Sequence, residues 1–207
     1  MRKNKLKRKT RETDITAEVT LEGSGRAKVR TGIRFLDHMI EALAKHGLFD
    51  IRLRAKGDLD VDTHHTNEDV AIALGEAFRA ALGDKKGIRR FADFRAPLDE
   101  ALSGVRVSLD LSGRGSCHFH TRAKTRWIDH PALRAKNTPM GYTLADTKHF
   151  LESFAAHLGM TLHVEFVAGE QPHHVIEATF KALAKALGQA VAVDPRAKGV
   201  PSTKGKL

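Results

Sequence analysis

The chain has 207 residues, of which 41% are hydrophobic and 29% charged, and its formal net charge is +10. This composition is typical of a soluble globular domain, and no apolar run approaches the ~20 residues that a membrane-spanning helix needs. The basic N-terminus is not followed by the apolar segment of a secretory signal. Cys117 is the only cysteine, which excludes an internal disulfide and predicts a reduced, cytoplasmic setting.

The positive charge admits two function classes, nucleic-acid binding and recognition of a phosphorylated small molecule. Much of the excess lies near the two ends, where residues 1–10 predict a basic N-terminal tail and residues 193–207 a polar C-terminal tail. Charged tails are usually solvated, so charge alone does not choose between the classes. The twelve histidines are more informative.

Alternation of polar and apolar residues predicts strands, and apolar residues at helical spacing predict helices. The first part of the chain has the order strand, strand, helix, strand, helix, at residues 11–21, 26–31, 33–46, 48–55 and 64–83. The clear elements of the second part are a strand, a helix, a strand and a helix, at 105–111, 145–158, 161–167 and 173–190. Residues 88–122 otherwise give no clear strand pattern.

The two parts share spaced histidines that can be matched one by one. The first helix of each part carries two histidines eight residues apart, namely His38 and His46 in one part and His149 and His157 in the other. The last helix of each part begins with the motif His-His-x-x-Glu, at 64–68 and again at 173–177. Matching features in a matching order indicate an internal duplication.

The duplication predicts one α+β domain over residues 11–192, made of two similar β-β-α-β-α halves. The halves are expected at about 11–86 and 87–192, each with helices on one face of a mixed sheet.

The His-His-x-x-Glu motif suits metal binding, because its first histidine and its glutamate lie on one face of a helix. The second histidine points about 100° away, so we expect each histidine pair to serve two ions. The repeat then predicts two sets of three imidazoles and one carboxylate: His64, Glu68, His149 and His174 in one, and His173, Glu177, His38 and His65 in the other. Such sets allow Mn, Fe, Co or Zn.

Other acidic and histidine residues have less defined roles. Asp58, Asp60 and Asp62 either orient the imidazoles of the metal ligands or are ordinary loop carboxylates. Four further histidines have no counterpart in the repeat and are assigned to no site, namely His118, His120, His130 and His163.

Six segments of the chain carry recognisable motifs: FLDHM at 35–39, GDLDVDTHHTNED at 57–69, PLDEAL at 97–102, DLSGR at 110–114, HHVIEATFKALAKAL at 173–187 and PSTKG at 201–205. Together they resemble the imidazoleglycerol-phosphate dehydratase family. The resemblance implies a fold of two similar α/β halves, of the ribosomal protein S5 domain 2-like type. It also implies a homo-oligomer of 24 subunits with two Mn²⁺ per subunit at sites formed between subunits, and no nucleic-acid or membrane partner.

The resemblance implies an activity, the dehydration of imidazole glycerol phosphate to imidazole acetol phosphate in histidine biosynthesis. Its metal ligands fall on His38, His64, His65, Glu68, His149, His173, His174 and Glu177, the set that the repeat gives. Its catalytic residues fall on Glu12, His65 and Glu177. Its substrate contacts fall on Glu12, His38, His46, His64, Glu68, Arg90, Arg114, His173, Lys181, Ser202, Thr203 and Lys204. Glu12 is the candidate base; without the resemblance it is an exposed strand carboxylate.

Two other functions compete with this interpretation. A basic RNA-binding protein with structural histidines would need aromatic platforms for base stacking, and the chain has one Trp and one Tyr. A binuclear metallohydrolase would be expected to supply bridging aspartates, whereas the predicted ligand set is dominated by histidine.

Overall fold

The computed structural model describes residues 1–101, 105–121 and 141–207, so His130 lies outside the described residues. The first half contains, in order, β1 (Lys3–Lys9), β2 (Asp14–Thr20), β3 (Ala27–Arg30), α1 (Arg34–Gly47), β4 (Asp50–Lys56) and α2 (His64–Leu82). The second half contains β5 (Phe91–Ala96), a 3-10 turn (Asp99–Ala101), β6 (Val105–Asp110), β7 (Ser116–Thr121), α3 (Leu144–Leu158), β8 (Thr161–Phe166) and α4 (Pro172–Val191).

The two halves have the same sheet topology. The strand order is β1-β2-β4-β3 in one sheet and β5-β6-β8-β7 in the other. In each sheet the first two pairings are antiparallel and the last is parallel. The predicted α+β class with duplicated halves and mixed sheets is therefore confirmed.

The start of each half differs from the prediction, because each half has one strand more than β-β-α-β-α. Residues 1–10 are not a tail, since Lys3–Lys9 pair along their whole length with β2. The sequence KNKLKRK contains one apolar residue, Leu6, which packs against the core. Lysine-rich edge strands are usual because charge discourages pairing with other chains. Hydrophobic alternation therefore could not reveal β1.

The helices form two inner layers between the sheets. In the first half α2 packs on β1 and β2, and in the second half α4 packs on β5 and β6. Across the halves α1 packs against α4 and α2 against α3. The inward residues of β2 and of the helices are fully buried, and they form one continuous apolar core. None of the helices in the described residues is long and apolar enough to cross a membrane.

Glycine allows both pairs of helices to approach closely. A Cβ at Gly75 on α2 would lie 2.8 Å from the carbonyl oxygen of Phe154 on α3. A Cβ at Gly188 on α4 would lie 3.0 Å from the carbonyl oxygen of Gly47 at the end of α1. Side chains at these positions would push the helices apart. These two contacts set the spacing of the helices that carry the predicted metal ligands.

Candidate metal and phosphate sites

The first cluster consists of His38, His173 and Glu177, brought together because α1 packs against α4. One ring nitrogen of each histidine and a carboxylate oxygen of the glutamate lie within 4.8 Å of one another. Oε2 of Glu177 is 3.3 Å from Nε2 of His38 and 3.2 Å from Nε2 of His173. His173 and Glu177 are one helical turn apart, as the motif predicts.

A lysine and a further histidine flank the first cluster. Nζ of Lys181 is 2.8 Å from Oε1 of Glu177, whose side chain is only 14% exposed. Burial raises the pKa of Glu177, but the hydrogen bond and charge of Lys181, followed by those of His38, hold it below its usual value. Burial lowers the pKa of His46, and the charges of Lys181 and Lys185 lower it further. The carboxylate of the first cluster is therefore ionised and lies among positively charged side chains.

The second cluster consists of His64, Glu68 and His149, brought together by the packing of α2 against α3. Their donor atoms also lie within 4.8 Å of one another. The ring of His64 stacks on the ring of His149 with centroids 4.5 Å apart. Nε2 of His149 is 3.7 Å from Oε1 of Glu68. Each residue of one cluster corresponds, in the internal repeat, to a residue of the other cluster, as the repeat predicts.

Buried hydrogen bonds fix the second cluster. The amide of Asn67 on α2 donates to the carbonyl oxygen of Asp146 on α3, at 2.9 Å. The hydroxyl of Tyr142 donates to Oδ1 of Asn67, also at 2.9 Å, and both residues are buried. These bonds set the position of α3, which carries His149, relative to α2. Sequence reasoning missed Asn67 and Tyr142, although Asn67 lies inside the segment DTHHTNED.

The predicted fourth ligands, His65 and His174, belong to neither cluster. Nδ1 of His65 is 2.9 Å from Oδ2 of Asp58 and 3.9 Å from Oε2 of Glu12. The hydrogen bond to Asp58 raises the pKa of His65. Nε2 of His174 is 3.8 Å from Oδ2 of Asp99. Each outer histidine therefore has its own carboxylate, and Asp99 is a site residue that sequence reasoning did not identify.

Asp69 holds the loop that carries Glu12. This buried carboxylate accepts hydrogen bonds from Nε of Arg8 at 2.9 Å and from the hydroxyl of Thr13 at 2.6 Å. The side chain of Glu12 itself is 51% exposed. The β1–β2 turn is thereby tied to α2, beside His65. Asp69 was missed because its neighbours are more than fifty residues away in the sequence.

The predicted phosphate contacts gather at a separate cleft with a volume of about 580 Å³, lined by Arg90, Phe91, Arg114, Pro201, Ser202, Thr203, Lys204, Lys206 and Leu207. The guanidinium of Arg90 forms a bidentate pair with Asp110, at 2.7 and 3.0 Å, and donates to the carbonyl oxygen of Pro201 at 2.8 Å. Arg90 thus fixes the C-terminal segment. Arg114 and Lys204 are exposed at the cleft.

The clusters fit divalent transition-metal ions in donor chemistry and in burial. Each gathers two imidazoles and one carboxylate, a mixed set that suits Mn, Fe, Co or Zn. Among the described residues, Nε2 of His149 is buried without a hydrogen-bond partner, which is unfavourable for a polar atom unless a ligand satisfies it. This orphaned nitrogen is a donor atom of the second cluster.

Fold and site together define a class, namely duplicated α+β proteins with two exchangeable histidine–carboxylate clusters suited to metals and a cationic cleft suited to phosphate. The family profile of imidazoleglycerol-phosphate dehydratase matches residues 31–187. The chain therefore belongs to the imidazoleglycerol-phosphate dehydratase family, whose members are hydro-lyases of histidine biosynthesis.

Individual relatives agree with this assignment. The chain is 51% identical over 207 residues to the imidazoleglycerol-phosphate dehydratase of Thermoanaerobacter sp. (strain X514), covering 100% of both chains. It is also 51% identical to the chloroplastic enzyme of Pisum sativum, covering 69% of that protein. A crystal structure from Pyrococcus furiosus, in complex with (S)-C348, has a TM-score of 0.76 at 33% identity, and the match covers 98% of this chain and 100% of that one.

Proposed function

We propose that this chain dehydrates imidazole glycerol phosphate to imidazole acetol phosphate, using two Mn²⁺ per subunit. The observation that carries the proposal is the pair of exchangeable His–His–Glu clusters, found in a chain that belongs to this family. His38, His173 and Glu177 would hold one ion, and His64, Glu68 and His149 the other. When bound, the ions supply Lewis acidity that stabilises negative charge on the imidazole ring of the substrate.

The fourth ligand of each ion comes from another subunit in this proposal. His65 and His174 lie beside Asp58 and Asp99 and outside the clusters of their own chain. In the proposed assembly their rings would reach the clusters of neighbouring copies. In a closed symmetric assembly every subunit makes the same contacts, so each cluster would receive its fourth histidine from a neighbour. We propose the 24-subunit homo-oligomer that the resemblance implies.

Mixing two inactive variants tests the shared ligands. His65→Ala keeps all three residues of the first cluster, and His173→Ala keeps the donating His65. Co-assembly from metal-free chains should rebuild about a quarter of the first-cluster sites by random mixing. Activity should return in the mixture and stay absent in each variant alone. A mixture as inactive as its components would show that both ligands come from one chain.

The cationic cleft would hold the phosphate of the substrate. Lys204 and Arg114 supply exposed positive charge, and Ser202 supplies a hydroxyl donor. Charge-assisted hydrogen bonds to phosphate are the strong ones. Since Arg90 already pairs with Asp110 and Pro201, it also orients the segment that carries Ser202 and Lys204.

Glu12 is the proposed general base. It would accept the proton from the carbon next to the one that loses its hydroxyl. The hydroxide that leaves and the proton taken up by Glu12 together make one molecule of water, which returns Glu12 to its carboxylate form. The resulting enol becomes the ketone product. Glu12 suits this role because Glu68 and Glu177 would be occupied as metal ligands, whereas its side chain is half exposed beside His65.

The proposed setting is cytoplasmic, with a small phosphorylated imidazole as the partner. A single cysteine, Cys117, fits a reducing compartment.

The decisive experiment incubates Mn²⁺-loaded protein with imidazole glycerol phosphate and measures the enolisable ketone product. The Mn²⁺-loaded protein should form product and hold close to two Mn²⁺ per chain. Chelator-treated protein should form no product and hold no Mn²⁺. Binding of RNA at varied salt is measured in parallel, because a nucleic-acid binder would show strong salt-dependent affinity. Lack of product with two ions bound would contradict the substrate assignment. At most one ion per chain under saturating Mn²⁺ would contradict the two-metal site.

A further inference from the structure

Three imidazoles outside the repeat clusters lie together on the outer face of the second sheet. His118 and His120 are two residues apart on β7 and therefore point to the same face, while His163 lies on the adjacent strand β8. His118 and His163 are direct register partners, so their Cα atoms are about 4.8 Å apart. All three side chains are exposed, on the face away from the helices.

The three rings are already in contact. The ring of His163 stacks on that of His120 with centroids 5.2 Å apart, and on that of His118 at 4.7 Å. Nε2 of His120 is 2.9 Å from Nδ1 of His163. Two imidazole nitrogens bound to one tetrahedral zinc ion are about 3.3 Å apart. The nitrogens of His120 and His163 are therefore close to that separation, and coordination by all three residues requires the exposed ring of His118 to turn toward this pair.

The corresponding face of the first half carries fixed cations. Lys28 pairs with Arg52 in the β3–β4 register as His118 pairs with His163, and Arg30 takes the place of His120. Ammonium and guanidinium groups have no lone pair to donate at neutral pH, whereas neutral imidazole is a metal ligand. At these corresponding positions on the outer sheet faces, imidazoles are therefore present in the second half and fixed cations in the first.

Metal binding requires neutral imidazoles. Partial desolvation of the His163 ring by its neighbours lowers its pKa, and the positive charges of His118 and His120 lower it further. The crowding of the rings therefore favours the neutral form at this position. Protonated rings at such distances would repel one another, and a shared cation removes that conflict by replacing protons.

We propose that His118, His120 and His163 form a third metal site that binds a divalent transition-metal ion, Zn²⁺ in the first instance. Imidazole ligands suit Zn, Cu and Ni. Three histidines leave one position of a tetrahedral zinc ion to water. The site shares no residue with the two repeat clusters or with the phosphate cleft.

The test compares zinc binding by the full chain and by matched variants, using equilibrium dialysis. Wild type should hold one zinc ion per chain more than His163→Ala, and His118→Ala/His120→Ala should lose the same ion. Ser108→Ala is the control, because Ser108 is the register partner of His163 on β6 but offers no imidazole. Its zinc content should equal that of wild type. Loss of a residue that orients a metal ligand typically weakens metal binding by about 10–100-fold. Loss of the ligand His163 itself should weaken zinc binding by at least this factor.

The difference between wild type and His163→Ala does not depend on how many ions the repeat clusters hold. It therefore tests the third site separately from the proposed dehydratase function. Diffraction at the zinc absorption edge should place an anomalous peak among the three rings, and His163→Ala should keep its turnover with Mn²⁺. Equal zinc content in wild type and His163→Ala, or a peak elsewhere, would overturn the proposal.

Discussion

The two halves of the chain share a ligand framework but differ in what surrounds it. The corresponding donors are His38 and His149, His64 and His173, and Glu68 and Glu177. Glu177 is 14% exposed and bound to Lys181. Glu68 is 40% exposed, and Ile72 stands one turn further on, where the second half has Lys181. The duplication therefore yields two clusters with the same donors and different electrostatic environments.

The supports of the clusters differ in the same way. Asn67 ties α2 to α3 beside the second cluster, and its counterpart in the other half is the buried apolar Ile176. Beside the first cluster, the ring of Phe35 packs edge-on against that of His173, with centroids 5.1 Å apart. One cluster is thus positioned by buried hydrogen bonds and the other by aromatic packing. Mutations of the cluster residues should therefore have similar effects in both halves, whereas mutations of the surrounding contacts should affect one cluster only.

The largest effects should be symmetric. His64→Ala and His173→Ala remove corresponding donors, so each should lower the metal content from two ions to one. Turnover should fall by about 10⁴ or more, because a metal ion contributes several kcal/mol to transition-state stabilisation. Metal analysis and kcat are measured on both variants. Near-normal activity in one of them would mean that the two clusters are not equivalent in catalysis.

The next effect concerns the outer carboxylates, Glu12 beside His65 and Asp99 beside His174. Glu12→Gln keeps shape and hydrogen bonding but cannot accept a proton, so kcat should fall by about 10²–10⁴. Both ions and the assembly should remain. Asp99→Asn is the matched variant in the other half. If Asp99→Asn lowers kcat in this way and Glu12→Gln does not, the base has been assigned to the wrong half.

The residues of the two histidine–carboxylate clusters were predictable from sequence because the duplication repeats their spacing. The structure brings together three members of each predicted set. The position of the fourth members, His65 and His174, was not predictable, because spacing gives the face of a helix but not what packs beside it. Strand β1 was hidden because Leu6 is its only apolar residue, and its place depends on backbone pairing and on the bond from Arg8 to Asp69. Asn67 was hidden because its partners lie on another helix.

Breaking the support of one cluster should give a smaller, one-sided effect. Asn67→Leu leaves the buried hydroxyl of Tyr142 and the carbonyl oxygen of Asp146 without their partner, which should cost about 1–3 kcal/mol of stability. The affinity of the second cluster for Mn²⁺ should fall, while that of the first stays. Urea unfolding of metal-free protein and Mn²⁺ titration measure the two effects. Ile176→Val, at the corresponding position, should lower stability by about 1 kcal/mol without changing either affinity.

The smallest effect concerns how the first helix of each half begins. The side chain of Thr143 accepts a hydrogen bond from the Asp146 backbone N–H at 3.2 Å, and Asp146 accepts one from the backbone N–H of Thr143 at 2.7 Å, which is a capping box. The N-cap of α1 is Ile33, which makes no such bond. Thr143→Ala should therefore lower stability by about 1 kcal/mol, measured by the urea midpoint at fixed protein concentration. Thr143→Ser keeps the hydroxyl and should stay near wild type. An unchanged midpoint in Thr143→Ala would mean that the hydrogen bonds of Tyr142 and Asn67 alone fix the start of α3. The capping box would then contribute no measurable stability.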